Sequence, residues 1–260
     1  MSGSEPKGFE AKLSARIDKA GSHLCVGLDP RPNRIRGDVT DFLMRVVEET
    51  ADYAAAYKPN IAYFESMGPT GYAILEKLIS EIPDDIPMIL DAKRSDIPET
   101  QKAYAHAYFD LWNVDAVTIN PLLGRDSIEP FLNYRDKGIY LLGMTSNSGA
   151  QDIMMRSLDG RPFLNIIQEM CEWAGGYPGT AGLVIGLSHA SDNLFKNLID
   201  VPLLIPGFGA QQGHIGHLRM TGRKSPWLIN VSRSILYPEQ GSGIREQAEL
   251  HAEAIRQAGE

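Results

Sequence analysis

Along this chain, short apolar runs rich in β-branched residues alternate with longer stretches in which apolar residues recur every three or four positions. The short runs are HLCVGLD ending at Asp29, AAAYKPN reaching past Lys58, PMILDAK, DAVTINP, GIYLLGMTS, AGLVIGLS, VPLLIPGFG and WLINVSRS, which makes eight expected strands. The longer stretches predict helices at 41–56, 70–82, 99–112, 161–174 and 243–258. Strand alternating with helix implies a parallel sheet, because parallel neighbours need a long crossover. The runs are almost continuously apolar, as expected of strands covered on both faces. Eight of them in 260 residues predict an α/β fold, a single-domain (β/α)8 TIM barrel. A doubly wound open sheet is the other arrangement; no G-x-G-x-x-G follows the first run, so its dinucleotide-binding form has no support. Residues 1–10 are polar and read as a flexible leader, with the barrel occupying 11–260.

In such barrels the active site lies at the C-terminal ends of the strands, so the polar residues just past each run become the candidates. They are Asp29, Lys58, Asp91 with Lys93 and Asp96, Asn120, Ser146, Ser188 with His189, the PGFGAQQG turn at 206–213, and Ser232 with Arg233. The densest cluster is DAKRSDIPET at 91–100. Asp96 has a plain reading as a helix N-cap, with a proline in the first turn and an acid three residues on. Asp91 and Lys93 have none: two apart in an extended strand, they would share one face at its end.

Lys58, Asp91, Lys93 and Asp96 would form an alternating set of two cations and two anions, each pair worth about 4 kcal/mol at 4 Å and an effective dielectric near 20. A lysine between two carboxylates is a poor base and a reasonable proton donor, which makes Lys93 the candidate acid. An added anion beside Asp91 would be repelled, so a substrate there must be held by binding energy from elsewhere. The turn at 206–213 after the seventh run, with Pro206 and Gln211, and Ser232–Arg233 after the eighth stand where barrels of this kind cradle phosphate. The turn alone is equally an ordinary tight connection; Arg233 beside it shifts the balance toward phosphate.

Composition narrows the classes further. A formal net charge of −8 with scattered basic residues argues against a nucleic-acid partner. No run of eighteen apolar residues and no signal-like segment stands at the start, so no membrane association is expected and the protein reads as cytoplasmic. Cys25 and Cys171 have neither metal nor disulfide spacing and read as reduced core residues. His214 and His217, three apart without a carboxylate in the spacing, read as surface or helix-start residues, and His189 near Ser191 and Asp192 as part of a turn. No metal or organic cofactor is expected.

The motif D-x-K-x-x-D-I-P-x-T, carried by Asp91, Lys93, Asp96, Ile97, Pro98 and Thr100, resembles the signature of the orotidine 5′-monophosphate decarboxylases. GLDP at Asp29, KPN at Lys58, TSNSGA at Ser146, PGFGAQQG at Gln211 and SRSI at Arg233 agree in order, and KPNIAYFE and TINPLLG are similar to the longer bacterial branch. The resemblance implies decarboxylation to uridine 5′-monophosphate without a cofactor, in de novo pyrimidine synthesis. It implies that Asp29 and Lys58 hold the ribose hydroxyls, Asp91 lies against the departing carboxylate, and Lys93 protonates ring carbon six. Asp96 and Thr100 would reach the neighbouring subunit's ribose across a homodimer interface with shared active sites. Ser146 would meet the pyrimidine edge, and Gln211 and Arg233 the phosphate. Many relatives have glycine where this chain has Ser232, and the stretch 147–159 after the fifth run reads as a lid. The alternatives are a magnesium-dependent sugar-phosphate decarboxylase or aldolase sharing D-x-K-x-x-D, a Schiff-base aldolase using Lys58 or Lys93, and a nucleotide-binding barrel without turnover.

Overall fold

A computed structural model describes residues 8–186, 188, 192–207, 216, 222–239 and 241–258. All eight runs are strands: β1 (Leu24–Leu28), β2 (Ala56–Pro59), β3 (Ile89–Arg94), β4 (Ala116–Ile119), β5 (Gly138–Met144), β6 (Thr180–Ile185), β7 (Leu203–Pro206) and β8 (Trp227–Val231). Paired in parallel, they follow the order β2-β1-β8-β7-β6-β5-β4-β3. The two ends of that ribbon meet through bridges Tyr57–Met88 and Asn60–Asp91, and Tyr57 N–H donates to the Pro87 carbonyl at 2.9 Å. The sheet is therefore a barrel, and the residues after β1 and after β8 are neighbours despite two hundred intervening positions.

Side-chain alternation divides the core in two. Cys25, Ala56, Ile89, Ala116, Tyr140 and Leu228 belong to an inner cluster, while Leu24, Val26, Leu28, Val117 and Ile229 pack with the surrounding helices. Both cysteines are free and buried, and burial pushes each thiol up to about 12, so neither supplies a thiolate near neutral pH.

The first helix, Gly8–Ala20, corrects the leader: residues 8–10 are already helical. Phe9 and Leu13, one turn apart, are buried in the inner cluster, with Phe9 edge-on to Tyr140 at 5.9 Å and against Gly138 at the start of β5. This apolar pair covers the N-terminal end of the barrel. Buried Arg16, one turn further on, donates from Nε to the Ala54 carbonyl at 2.9 Å and pairs with Asp85 at 2.7 Å.

The predicted helices are found at Val39–Thr50, Pro69–Glu81, Pro98–Ala105, Phe163–Ala174 and Ile244–Gln257. The first stops short of the expected 56 because Ala54, Ala55 and Ala56 are buried on the way into β2. It starts early because the Asp38 carboxylate caps it, accepting from Thr40 N–H at 2.7 Å and Asp41 N–H at 3.1 Å. The third continues as a π-helical turn, His106–Leu111. Residues 161 and 162 pair with Ser157–Leu158 in a small hairpin instead of opening the fourth helix. Among the described residues, no helix is long and apolar enough to cross a membrane.

Candidate active site

Lys58 near the end of β2 and Asp91 on β3 are the buried charges of the barrel mouth. Lys58 Nζ donates to Asp91 Oδ2 at 3.0 Å, and Lys93 Nζ donates to Asp91 Oδ1 at 2.5 Å. Burial by itself opposes charge on Asp91 and is the largest single influence, but the combined pull of Lys58 and Lys93 exceeds it and holds the carboxyl well below the usual range. Lys58 shows the same contest in mirror image. Burial favours its neutral form, yet Asp91 and then Asp29 raise it well above the ordinary lysine value. Lys58 and Asp91 thus both favour their charged forms, with Lys58 nearly enclosed and Lys93 half exposed toward the opening.

The route by which Lys93 meets Asp91 differs from simple strand alternation. Lys93 has φ 47°, a left-handed conformation rare for a residue with a side chain, and the pairing of β3 with β4 shifts register between Leu90 and Arg94. Thr118 on β4 holds this irregularity. Its buried Oγ1 accepts from Lys93 N–H at 2.9 Å and donates to Asp91 Oδ1 at 2.9 Å, tying the turned backbone to the carboxylate.

Asp96 does not cap a helix. Ile97 occupies the N-cap position without a side-chain cap, and Asp96 Oδ1 accepts instead from the adjacent Ile97 N–H at 2.7 Å. Asp96 forms no ion pair with a described residue, so among the described residues the expected four-charge set is three charges, Lys58, Asp91 and Lys93. Ile97, 61% exposed, and Thr100 at the start of the following helix lie on the same rim. Asp29, just past β1, accepts from Asn60 N–H at 3.3 Å, beside the β2 end that carries Lys58.

A cavity of about 250 Å³ is lined by Lys58, Asp91, Lys93, Thr118, Ser146 and Pro206, among others. Beyond it, Ser232 and Arg233 line a second cavity of about 970 Å³ with Gly207. Asn230 on β8 lines both. Among the described residues its buried Oδ1 has no hydrogen-bond partner, and neither has the buried Ser232 Oγ. Ser232 fits beside β1 because Gly27 faces it: a Cβ on Gly27 would come within 2.7 Å of the serine Cβ. Gln211, His189, His214 and His217 lie outside the described residues. Thr118 and Asn230 escaped the sequence reading because they stand inside apolar runs. The signal was there, as the polar residues in AVTI and WLINV.

The stretch after β5 forms a short 3-10 turn, Ser148–Asp152, before the hairpin. Thr145 Oγ1 lies 2.6 Å from Asn147 Oδ1 and 3.2 Å from Met154 Sδ, and Met154 packs on the inner cluster, so this segment rests on the barrel mouth.

Eight parallel strands with a lysine–aspartate–lysine array at their C-terminal ends define the chain as a (β/α)8-barrel enzyme. Residues 22–242 match the model of the orotidine 5′-phosphate decarboxylase / HUMPS family, and the chain belongs to that family. Orotidine 5′-phosphate decarboxylase of Roseiflexus sp. (strain RS-1) is 39% identical over 266 residues, covering 96% of each chain. The enzyme of that name from Ralstonia pickettii (strain 12J) is 38% identical over 263 residues, covering 95% of this chain and 96% of its own. The solved structure of Leishmania donovani OMP decarboxylase superposes with a TM-score of 0.83 at 34% identity, over 97% of this chain and 99% of that one.

Proposed function

We propose that this protein decarboxylates orotidine 5′-monophosphate to uridine 5′-monophosphate in de novo pyrimidine synthesis, without a cofactor, as a cytoplasmic homodimer. The observation that carries the reading is the Lys58–Asp91–Lys93 chain, its first two members buried, beside a cavity of pyrimidine scale, joined to a second, polar cavity bearing Arg233. The substrate's carboxylate would lie against ionised Asp91, and phosphate binding at Arg233 and Gln211 would offset that repulsion. The bond from ring carbon six to the carboxyl carbon breaks, carbon dioxide leaves, and the electron pair stays on carbon six. Lys93 Nζ then gives its proton to that carbon and is reprotonated from solvent. Asp29 and Lys58 hold the ribose hydroxyls, Ser146 the pyrimidine edge, and Pro206 and Ser232 the walls of the site.

The homodimer reading draws support from the rim that carries Asp96. Ile97 there is exposed, and Leu122 and Leu123 after the neighbouring β4 are 53% and 52% exposed, an apolar surface suited to a second copy. Asp96, without an ion pair to a described residue, and Thr100 would then complete the partner's site.

Loss of orotidine 5′-monophosphate absorbance, followed with metal-free protein and again with chelator, tests the activity. Decay at the same rate in both is expected. No decay in either would sink the proposal, and decay that chelator abolishes would point to the magnesium-dependent chemistry.

A further inference from the structure

We infer that Arg34 is a second cation for the substrate's phosphate, acting with Arg233 from the neighbouring strand end. This rests on the phosphate site of the function proposed above and adds a residue to it. Arg34 closes the 3-10 turn Pro32–Arg34 that follows β1, and Arg233 follows β8, the strand paired with β1. Both arginines line the 970 Å³ cavity that adjoins the Lys58–Asp91–Lys93 centre at Asn230.

The guanidinium of Arg34 is held in place without using its hydrogen-bond donors. Its central carbon lies 4.5 Å from the centroid of the Tyr237 ring, and Phe42 stacks on the same ring at 5.8 Å with planes 10° apart. Tyr237 is anchored in turn: its hydroxyl accepts from Arg31 N–H at 2.6 Å and donates to the Asp29 carbonyl at 3.3 Å. The loop after β1 and the segment after β8 are therefore tied together through Tyr237. A cation over a ring face is held by the ring's quadrupole, an attraction that does not consume the guanidinium's N–H donors. The N–H donors of Arg34 make no hydrogen bond or ion pair with a described residue, and the Arg233 side chain makes none either. Glu239 lines the same cavity, yet it pairs with neither arginine. A guanidinium held over Tyr237 and a second one lining the same polar cavity match a dianion with three peripheral oxygens.

The competing account is that Arg34 does no more than cover the Tyr237 ring. Calorimetric titration of the full chain with uridine 5′-monophosphate, uridine and inorganic phosphate separates the two. Arg34→Gln is expected to weaken uridine 5′-monophosphate and inorganic phosphate by about tenfold while leaving uridine unchanged. Arg34→Lys, which keeps the charge but not the planar fork, should lose less. Unchanged nucleotide affinity in Arg34→Gln, or equal weakening of nucleotide and nucleoside, would overturn the inference. Wild-type protein that binds inorganic phosphate but not uridine 5′-monophosphate would overturn the proposed function instead, and Arg34 would then stand or fall on the phosphate titration alone.

Discussion

Replacing Lys58 with methionine tests whether the charge centre is a buried, mutually dependent unit. Lys58 and Asp91 side chains are only 7% and 11% exposed, and their charged atoms are 3.0 Å apart. At that distance and an effective dielectric of about 20, the attraction is roughly 5–6 kcal/mol, against which stands the cost of burying the ammonium. Removing one partner of a buried pair costs about 3–5 kcal/mol, because the other charge is left behind. Asp91 keeps Lys93 and Thr118 in the variant, so the lower end applies: about 3 kcal/mol, or a fall in melting temperature of roughly 6–12 °C. Urea unfolding at pH 7 measures the loss. In 1 M salt, where screening acts over about 3 Å, a surface pair would fade but this loss should persist. The pH dependence has a definite sign. The folded-state pKa of Asp91 is depressed, so its stabilisation is complete above the unfolded value near 3.9 and is lost as pH falls through the folded value. Lys58→Met raises that folded value, so the variant's acid unfolding limb should begin at higher pH. A loss below about 1 kcal/mol, or a loss abolished by salt, would refute the reasoning.

Three further outcomes follow from the same geometry. Lys93→Ala should remove turnover while leaving uridine 5′-monophosphate binding largely intact, and a single-turnover assay showing the wild-type rate would exclude it as the proton donor. Mixing Asp96→Ala with Lys93→Ala chains should restore activity that neither has alone, since some mixed dimers own one intact site; no recovery in the mixed assay argues against sharing across the interface. Thr118→Val deletes a hydrogen bond to an ionised carboxylate and should cost about 1.5–3 kcal/mol in urea unfolding. It should lower kcat more than it changes KM, and Thr118→Ser should recover most of the rate; equal rates in Val and Ser variants would mean the hydroxyl does not hold Lys93.

The eight strands and most intervening helices were legible in the residue pattern because period and burial are local: a run such as GIYLLGM has to be covered on both faces wherever it lies. The chain order of the polar residues that end those runs placed Lys58, Asp91, Lys93, Ser146 and Arg233 at one mouth, since closure of a parallel barrel leaves no other side for strand ends. Tertiary structure alone decided what depends on pairs distant in sequence. Phe9 became a core residue only because it meets Tyr140, and Asp96 lost its capping role to a backbone that places Ile97 at the cap. Lys93 reaches Asp91 through a left-handed turn held by Thr118 from the next strand, and Arg34 meets Tyr237 across the β1–β8 seam. Composition sets which residues are buried or charged, but which of them touch follows from sheet closure and register, and these sum over the whole chain.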